Sequence, residues 1–448
     1  MRPSILYPEG SREVPAPLQD LRFANDLGLD QVFAAAVSGR EGLELLELFY
    51  SPLKSLDQVA YRHEVLADLE HAEITAAVKT FLEQMARVRE LLHTGNSLHT
   101  RLQKQRLFLD AVVAYCDEVN SLATSMSSMQ LASRALRSYR EYLVCYVGPA
   151  AFSALGEGAH GLIRSLSSIR YKVYIKGARV TVSAYYGEPD YAREVEAAFV
   201  KVREEAVTDY TAKLLNLLDM NQVEARVLDC VARLYPAPFS SLGQFFDAHQ
   251  DFMDRTIVDF ERASQFYLAY LEYIAPLRAR GLQFCYPRVS LSPGPVQVEG
   301  LFDLALAASV VSHDGAGPAR VEPNDLELSR GERVVVVTGP NSGGKTTFCR
   351  AIGQVHYLAS LGLPVPARSA ALVLADGSFT SFMQAEALEV ARSHLEDELV
   401  HLHEVIERAT PRSVVIMNES FSSTTLSDAA VLGKAVLAQL TKGGVLCA

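Results

Sequence analysis

Residues 333–361 read RVVVVTGPNSGGKTTFCRAIGQVHYLASL, and the fold of the second half of the chain is decided there. A β-branched run (333–337) leads into Gly339, four intervening residues and Gly344-Lys345-Thr346, and the helical stretch TTFCRAIGQVHYLASL follows. This is a P-loop in the strand–loop–helix context that gives the motif its meaning. Gly339, Gly343 and Gly344 let backbone N–H groups curl around phosphates, and Pro340, Asn341 and Ser342 complete the turn. Lys345 places a cation on the β- and γ-phosphates. The Thr346 hydroxyl ligates Mg²⁺, Thr347 continues the helix, and the helix dipole adds to the attraction.

A P-loop calls for a second strand that ends in acid. SVVIMNES supplies it: a strand at 413–417, then Asn418 and Glu419. Glu419 is placed to polarise an attacking water, whereas Asn418 can hydrogen-bond a metal-bound water but brings no negative charge. Thr346, Asn418 and Glu419 are the candidate metal-side residues. Two further β-branched runs, ALVLA (371–375) and VLCA (445–448), alternate with helices from Gly300 onward. That alternation predicts βαβ units and a largely parallel sheet.

The texture upstream is different. From about Phe23 to Arg280, Leu, Val, Phe and Ala recur at three- and four-residue spacing, as in GLELLELFYSPLKSLDQVAYRHEVLADLEHAEI,. Ser51-Pro52 breaks that stretch into two helices. Long helices are expected at about 99–145, 188–217 and 240–281. One segment departs from the pattern. In IRYKVYIKGARVTVSAYYGE (169–188), Arg170, Lys172, Tyr174 and Lys176 fall on one face and Tyr171, Val173 and Ile175 on the other,. Gly177 supplies the turn, and Val180, Val182 and Ala184 continue the apolar face on a return strand. The basic, Tyr-bearing face could track phosphates or could simply be a solvated edge.

Composition bounds the rest. The chain has 448 residues, no Trp, and 42 Lys+Arg against 53 Asp+Glu, a formal net charge of −11. Such a balance excludes nucleic-acid binding by overall charge but not by a local basic track. The six cysteines show no C-x-x-C spacing, which reads as reduced, mostly buried thiols of a cytoplasmic protein,. Neither a signal peptide nor a membrane-spanning stretch is visible.

With these residues in view, VTGPNSGGKTTFCRAIGQVHYLASLGLPVPA resembles the nucleotide-binding segment of the MutS family of DNA mismatch-repair ATPases, including its Gly-x-x-Val-Pro-Ala turn at Gly362, Val365, Pro366 and Ala367. SVVIMNESFSSTTLSDA resembles the family's Walker B strand and the Ser/Thr-rich loop after it, with Thr424, Thr425 and Asp428. VEPNDLELSRGE resembles the segment whose Asn lies against the adenine, here Asn324. ARSHLEDELVHLHEVI resembles the signature segment in which a Ser from one subunit caps the ATP of the other, here Ser393. Ser393 and Glu396 also fit a capping box, with Ser393 at the N-cap. The helical half is similar to the family's levers, and the hairpin stands where the family inserts its DNA clamp.

The resemblance implies a multidomain protein. Residues 1–22 form an N-terminal extension. Residues 23–288 form a mainly α core/lever domain with a short clamp-like β-hairpin insertion near 165–190. Residues 289–448 form an α/β P-loop ATPase domain of the ABC/MutS type, C-terminally incomplete. ATP and Mg²⁺ are the implied cofactors, and duplex DNA, a second copy of the chain and repair or recombination proteins the implied partners. The implied location is cytoplasmic, at the nucleoid when DNA-bound. The family's mismatch-reading domain, with its Phe-x-Glu wedge, has no counterpart before the levers. Asn418 stands where the family has Asp, which implies slow hydrolysis. The strand at 443–448 stops before the family's Thr-His γ-phosphate sensor, as a truncated or as a degenerate form would. Two functions follow: an ATPase whose lever and clamp movements act on DNA, or a nucleotide-binding scaffold with little turnover that recruits protein partners. A cohesin-like head would need long heptad arms, and none is visible.

Overall fold

The computed structural model describes residues 2–11, 14–18, 20–40, 42–177, 179–187, 220, 222–292, 294–313, 320–340, 343–382 and 391–448. The helix expected at 188–217 lies outside the described residues. The described part is mostly helical with small sheets. It opens with α1 (Arg22–Asp26), α2 (Leu29–Val37), α3 (Leu45–Phe49) and α4 (Leu56–Leu69), then α5 (Ala72–Ser97), α6 (Arg101–Ser128), α7 (Arg134–Val147) and α8 (Ala150–Ser167). The hairpin β1 (Tyr171–Lys176) and β2 (Arg179–Ala184) follows, then α9 (Gln222–Leu234), α10 (Pro236–Ala248) and α11 (Arg255–Ala279). The C-terminal part contains β3 (Arg288–Ser290), β4 (Val296–Leu301), α12 (Leu304–His313), β5 (Asn324–Leu328), α13 (Lys345–Ser360), β6 (Ser369–Val373), β7 (Ser378–Phe382), α14 (Ala391–Arg408), β8 (Val414–Asn418), α15 (Leu426–Lys442) and β9 (Leu446–Cys447).

The chain packs as two compact units. One comprises Met1–Lys79, Ser125–Leu143 and Arg255–Ala448; the other comprises Thr80–Thr124 and Val144–Asp254. The boundaries fall inside α5, α6 and α7.

In the first unit the break at Ser51-Pro52 separates α3 from α4, as its sequence predicts, and the Ser55 hydroxyl caps α4 by accepting from Gln58 N at 3.3 Å,. The helix expected at 99–145 is interrupted at 129–133. Buried Asp68 accepts from Ala132 N at 3.1 Å and Ser133 N at 2.9 Å, and the Ser133 hydroxyl accepts from Leu136 N at 3.2 Å. A new helix N-terminus, satisfied by a carboxylate and a cap, costs less there than continuing the old helix. The stretch 240–281 is likewise two helices, α10 and α11. The core of this unit is aromatic. Phe33 stacks on Phe49 at 4.8 Å, Phe49 meets Phe266 at 4.8 Å, and Tyr357 of α13 lies 4.7 Å from Phe23. Full burial of each phenyl contributes about 1.5–3 kcal/mol.

The sheets correct the expectation of one largely parallel sheet. β7, β8 and β9 form a three-stranded parallel sheet, but β3, β6, β4 and β5 form a separate mixed one. There β4 runs antiparallel to both β5 and β6, while β3 runs parallel to β6. The cause is the return of β5 antiparallel onto β4 after the intervening α12, a pairing that alternation alone did not signal. The run 333–337 is also not a strand. It makes one parallel bridge, Val334 to Cys447, with Val335 N donating to Cys447 O and Cys447 N to Arg333 O, each at 2.8 Å. Beyond Val335 the ladder stops, and Val336 is 73% exposed.

In the second unit the hairpin has the register that its alternation predicts. Tyr171 faces Ala184, Val173 faces Val182 and Ile175 faces Val180, with Gly177 at φ +60° in the turn. Its apolar face is not buried: Val173 is 44% and Ile175 68% exposed. The cysteines are free, but burial is uneven. Cys116, Cys349 and Cys447 are buried, Cys285 is half-buried, and Cys145 and Cys230 are exposed. Among the described residues no helix is long and apolar enough to cross a membrane.

Candidate nucleotide-binding site

Gly344 begins the site. Its φ of +80° makes it the left-handed N-cap of α13, so the loop turns directly into the helix and leaves the helix N–H groups pointing outward,. Gly343 N donates to Pro340 O at 3.1 Å, and a Cβ on Gly343 would sit 3.0 Å from that same oxygen. A side chain at this position would press on the loop backbone, so the tight turn favours glycine,. Lys345 Nζ reaches back over the loop and donates to Gly339 O at 3.0 Å and Pro340 O at 3.2 Å. The ammonium thus rests over the loop mouth on carbonyl oxygens that a phosphate would replace. Asn341 and Ser342 lie outside the described residues. Thr347 sits half-buried in the first turn of α13.

The second component comes from β8. Parallel pairing of Phe382 with Asn418 puts Asn418 at the C-terminal edge of the sheet. There its Oδ1 accepts from the Thr346 hydroxyl at 2.9 Å. The P-loop and the strand end, 72 residues apart, are thus brought together by one hydrogen bond. Glu419 follows at φ +52° and Phe421 at φ +63°. A left-handed non-glycine residue costs roughly 1–2 kcal/mol, and two within three residues mark a turn that the surroundings enforce. Glu398 of α14 enforces it: both of its carboxylate oxygens accept from Phe421 N, at 3.0 and 3.1 Å, while the Phe421 ring is buried. Glu398 had no signal in the sequence beyond its place in a helix. The exposed Glu419 carboxylate is held at the rim of the site by this turn.

The remaining candidates are placed less tightly. Asn324 is exposed at the start of β5, where its amide donates to Glu322 O at 3.2 Å and no described contact joins it to the loop. Ser393 lies in α14, whose first described residue is Ala391. It is thus a residue of the helix itself, where the capping-box reading placed it just ahead of the helix. Thr425 is a true cap, accepting from Asp428 N at 3.3 Å at the start of α15.

What holds α13 in place was not read from the motif. Successive turns of this helix are pinned by residues 26–62. Arg350 Nε donates to Asp26 O at 2.9 Å, Gln354 Nε2 to Leu27 O at 2.8 Å and the Tyr357 hydroxyl to Phe49 O at 2.9 Å. Leu53 N donates to Ser360 O at 2.7 Å, and buried Arg62 donates to Leu361 O at 2.7 Å. Arg62 has no exposed surface, and its guanidinium stacks 5.4 Å from the Tyr7 ring and 5.1 Å from the Phe266 ring. A cation there meets the negative end of the helix dipole and two π faces. Gly362, at φ +67°, allows this approach, since a Cβ would lie 3.1 Å from Arg62 Cβ.

Thr346 and Asn418 offer two neutral oxygens side by side, and Glu419 offers a carboxylate at the rim. Among the described residues no group of three His, Cys, Asp or Glu forms a metal cluster. This donor set fits Mg²⁺ carried in on phosphates, which needs few protein ligands.

Residues 335–446 match the family model for MutS domain V. Among curated proteins, "Endonuclease MutS2" of Gemmatimonas aurantiaca is 36% identical over 132 residues, covering 29% of this chain and 16% of the relative. "DNA mismatch repair protein MutS" of Granulibacter bethesdensis is 36% identical over 124 residues, 28% of this chain and 13% of the relative. "DNA mismatch repair protein Msh3" of Mus musculus is 36% identical over 115 residues, 26% of this chain and 10% of the relative. The aligned stretches thus span a small part of each relative. The loop, its lysine and the paired strand end all fall inside the matched segment, and residues 335–446 are a domain V of the MutS type.

Proposed function

We propose that this chain binds and hydrolyses ATP with Mg²⁺ and couples that cycle to DNA as a MutS-like repair or recombination protein. One observation carries the reading: Lys345 Nζ and the Thr346–Asn418 hydrogen bond converge at the N-terminus of α13. In this scheme the triphosphate displaces the loop carbonyls from Lys345 and takes their place. Thr346 and Asn418 would hold Mg²⁺, which would supply neutralisation of the phosphate charge. Glu419 accepts the proton of the attacking water, and Lys345 stabilises the charge that grows on the leaving oxygens. Asn324 is assigned to the adenine side.

Ser393 is assigned to a second copy's nucleotide in a homodimer. ATP that binds the closed dimer better than the open one draws the heads together, and only that difference in affinity can do work. Passage from mostly open to mostly closed needs about 5 kcal/mol of it. The helices α5, α6 and α7 cross unbroken from one compact unit to the other, which supports their role as levers to the hairpin. The names of the relatives, two mismatch-repair proteins and an endonuclease, support DNA as the target.

The decisive variant is Glu419→Gln. General-base loss should lower kcat about 10²–10³-fold with ATP affinity kept, so that an ATP-bound dimer accumulates in light scattering. Unchanged turnover would remove Glu419 from the mechanism. A second reading rests on Asn418. A neutral amide at the metal position favours a scaffold that binds ATP and recruits protein partners. Turnover with and without duplex or branched DNA separates the two: DNA-stimulated hydrolysis supports the ATPase, and tight binding without turnover supports the scaffold.

A further inference from the structure

The nucleotide loop lies at the C-terminal ends of β7 and β8. At their N-terminal ends, marked by Ser378 and Ser413, the same unit has a recess of about 780 Å³. β8 separates the two ends by five residues, roughly 15 Å of extended chain,. The recess is therefore a different site from the P-loop.

Its walls come from segments far apart in sequence, and their charges have one prevailing sign. Arg22 opens α1, Lys54 precedes α4, Arg408 ends α14, and Arg412 lies in the turn before β8. Asp20 and Asp376 are the two acids of the lining, so four cations less two anions leave +2, with His401 beside them. Both acids are engaged. Asp376 pairs with Arg412 at 3.3 Å and accepts from the hydroxyls of Thr410 at 2.7 Å and Ser413 at 3.0 Å. Asp20 accepts from Arg22 N at 3.1 Å. Arg408 lies over the Phe379 ring at 5.4 Å, which orients its guanidinium without neutralising it. Arg22 and Arg408 approach no carboxylate within 4 Å among the described residues, although the half-buried Asp26 carboxylate, which accepts from the Thr380 hydroxyl of the lining, attracts Arg22 from behind the wall. Gathering like charges on a concave wall costs energy that scattered surface charges avoid, and concave walls focus the resulting field. The whole chain, at −11, has the opposite sign.

We infer that this recess binds a small anion carrying at least two phosphate charges, of nucleotide size. Planar guanidinium groups recognise phosphate oxygens in pairs, and the volume falls within the range of small-molecule sites, about 300–1,000 Å³.

The test uses the full chain carrying Lys345→Ala, which silences the P-loop, and inorganic tripolyphosphate as probe in calorimetry. That protein should still bind close to one equivalent. Adding Arg22→Gln and Arg408→Gln should weaken the binding about tenfold or more, because each guanidinium–phosphate pair is charge-assisted. Arg22→Lys with Arg408→Lys should keep most of it. Both arginines are exposed, so an unchanged thermal melt verifies that the variants remain folded. ADP that displaces the probe identifies a nucleotide as ligand, and ADP that fails to do so identifies a free polyphosphate; either supports the site. Absence of probe binding to the Lys345→Ala protein, or binding that survives the glutamine pair unchanged, would overturn the inference. The P-loop plays no part in this readout, so failure of the ATPase reading leaves it standing.

Discussion

The seat of α13 and the β1–β2 hairpin both follow from clean sequence patterns, yet they end in opposite environments. In α13 nearly every side chain from Cys349 to Ser360 is buried, and five hydrogen bonds join the helix and the residue after it to residues 26–62. In the hairpin the pairing is correct residue by residue, but β1 is exposed along its whole length. Pattern therefore dictates local form in both places, while partners from distant sequence dictate burial. The consequence is a gradient of sensitivity that substitutions and pH can expose.

The largest effect is expected from acid. Burial pushes the pKa of His63 and of His356 down to about 4 from the ordinary 6.5. Both histidines belong to the seat, in α4 and α13. Their folded pKa values lie below the unfolded ones, so the unfolded chain binds more protons between pH 6.5 and 4. Stability is complete above 6.5 and is lost as pH falls toward 4, by roughly 3 kcal/mol for each histidine. Urea denaturation at stepped pH values should show this loss, and His63→Gln with His356→Gln should flatten the profile. An equally steep profile in the double variant would place the acid sensitivity elsewhere.

Next comes Arg62→Ala. It leaves Leu361 O without its buried donor and opens a void between the Tyr7 and Phe266 rings, at a cost on the order of 3 kcal/mol,. Arg62→Lys keeps the charge but not the planar fork, and should recover only part of the loss in a thermal melt. A melt for Arg62→Ala within a degree of the parent would mean that the guanidinium does not hold α13. The smallest effect belongs to the hairpin. Ile175→Thr removes a methyl-bearing surface that already faces water and keeps β-branching, so stability should change by less than about 0.5 kcal/mol,. A larger loss would show that something covers this face in solution.

Much of the candidate site was legible because its chemistry is local. The loop from Gly339 to Thr346 needs only glycines, a lysine and a hydroxyl in fixed order, and its helix begins at Lys345 as the motif requires. Asn418 and Glu419 were legible as the end of an apolar strand. Glu398 was not, because its role depends on the left-handed turn at Phe421, and nothing in a helix of mixed charge marks one glutamate for that task. The capping-box pattern at Ser393 and Glu396 did not mark a helix start, because Ser393 already lies within α14. The run 333–337 reads as a strand by composition alone, yet a strand needs neighbours, and beyond Val335 it has none among the described residues.

The amino-acid sequence by itself determined the P-loop, the helical texture of the first half, the break at Ser51-Pro52 and the register of the hairpin. Each depends on residues within a few positions of one another, where steric and hydrogen-bond rules act directly. Only the tertiary structure decided that Asp68 starts a new helix at Arg134, that β4, β5 and β6 form a mixed sheet, and that Arg62 caps the helix carrying Lys345. It also gathered Arg22, Lys54, Arg408 and Arg412 around one recess. Those contacts join residues tens to hundreds of positions apart, and their energies exist only once packing has brought the groups within a few ångströms.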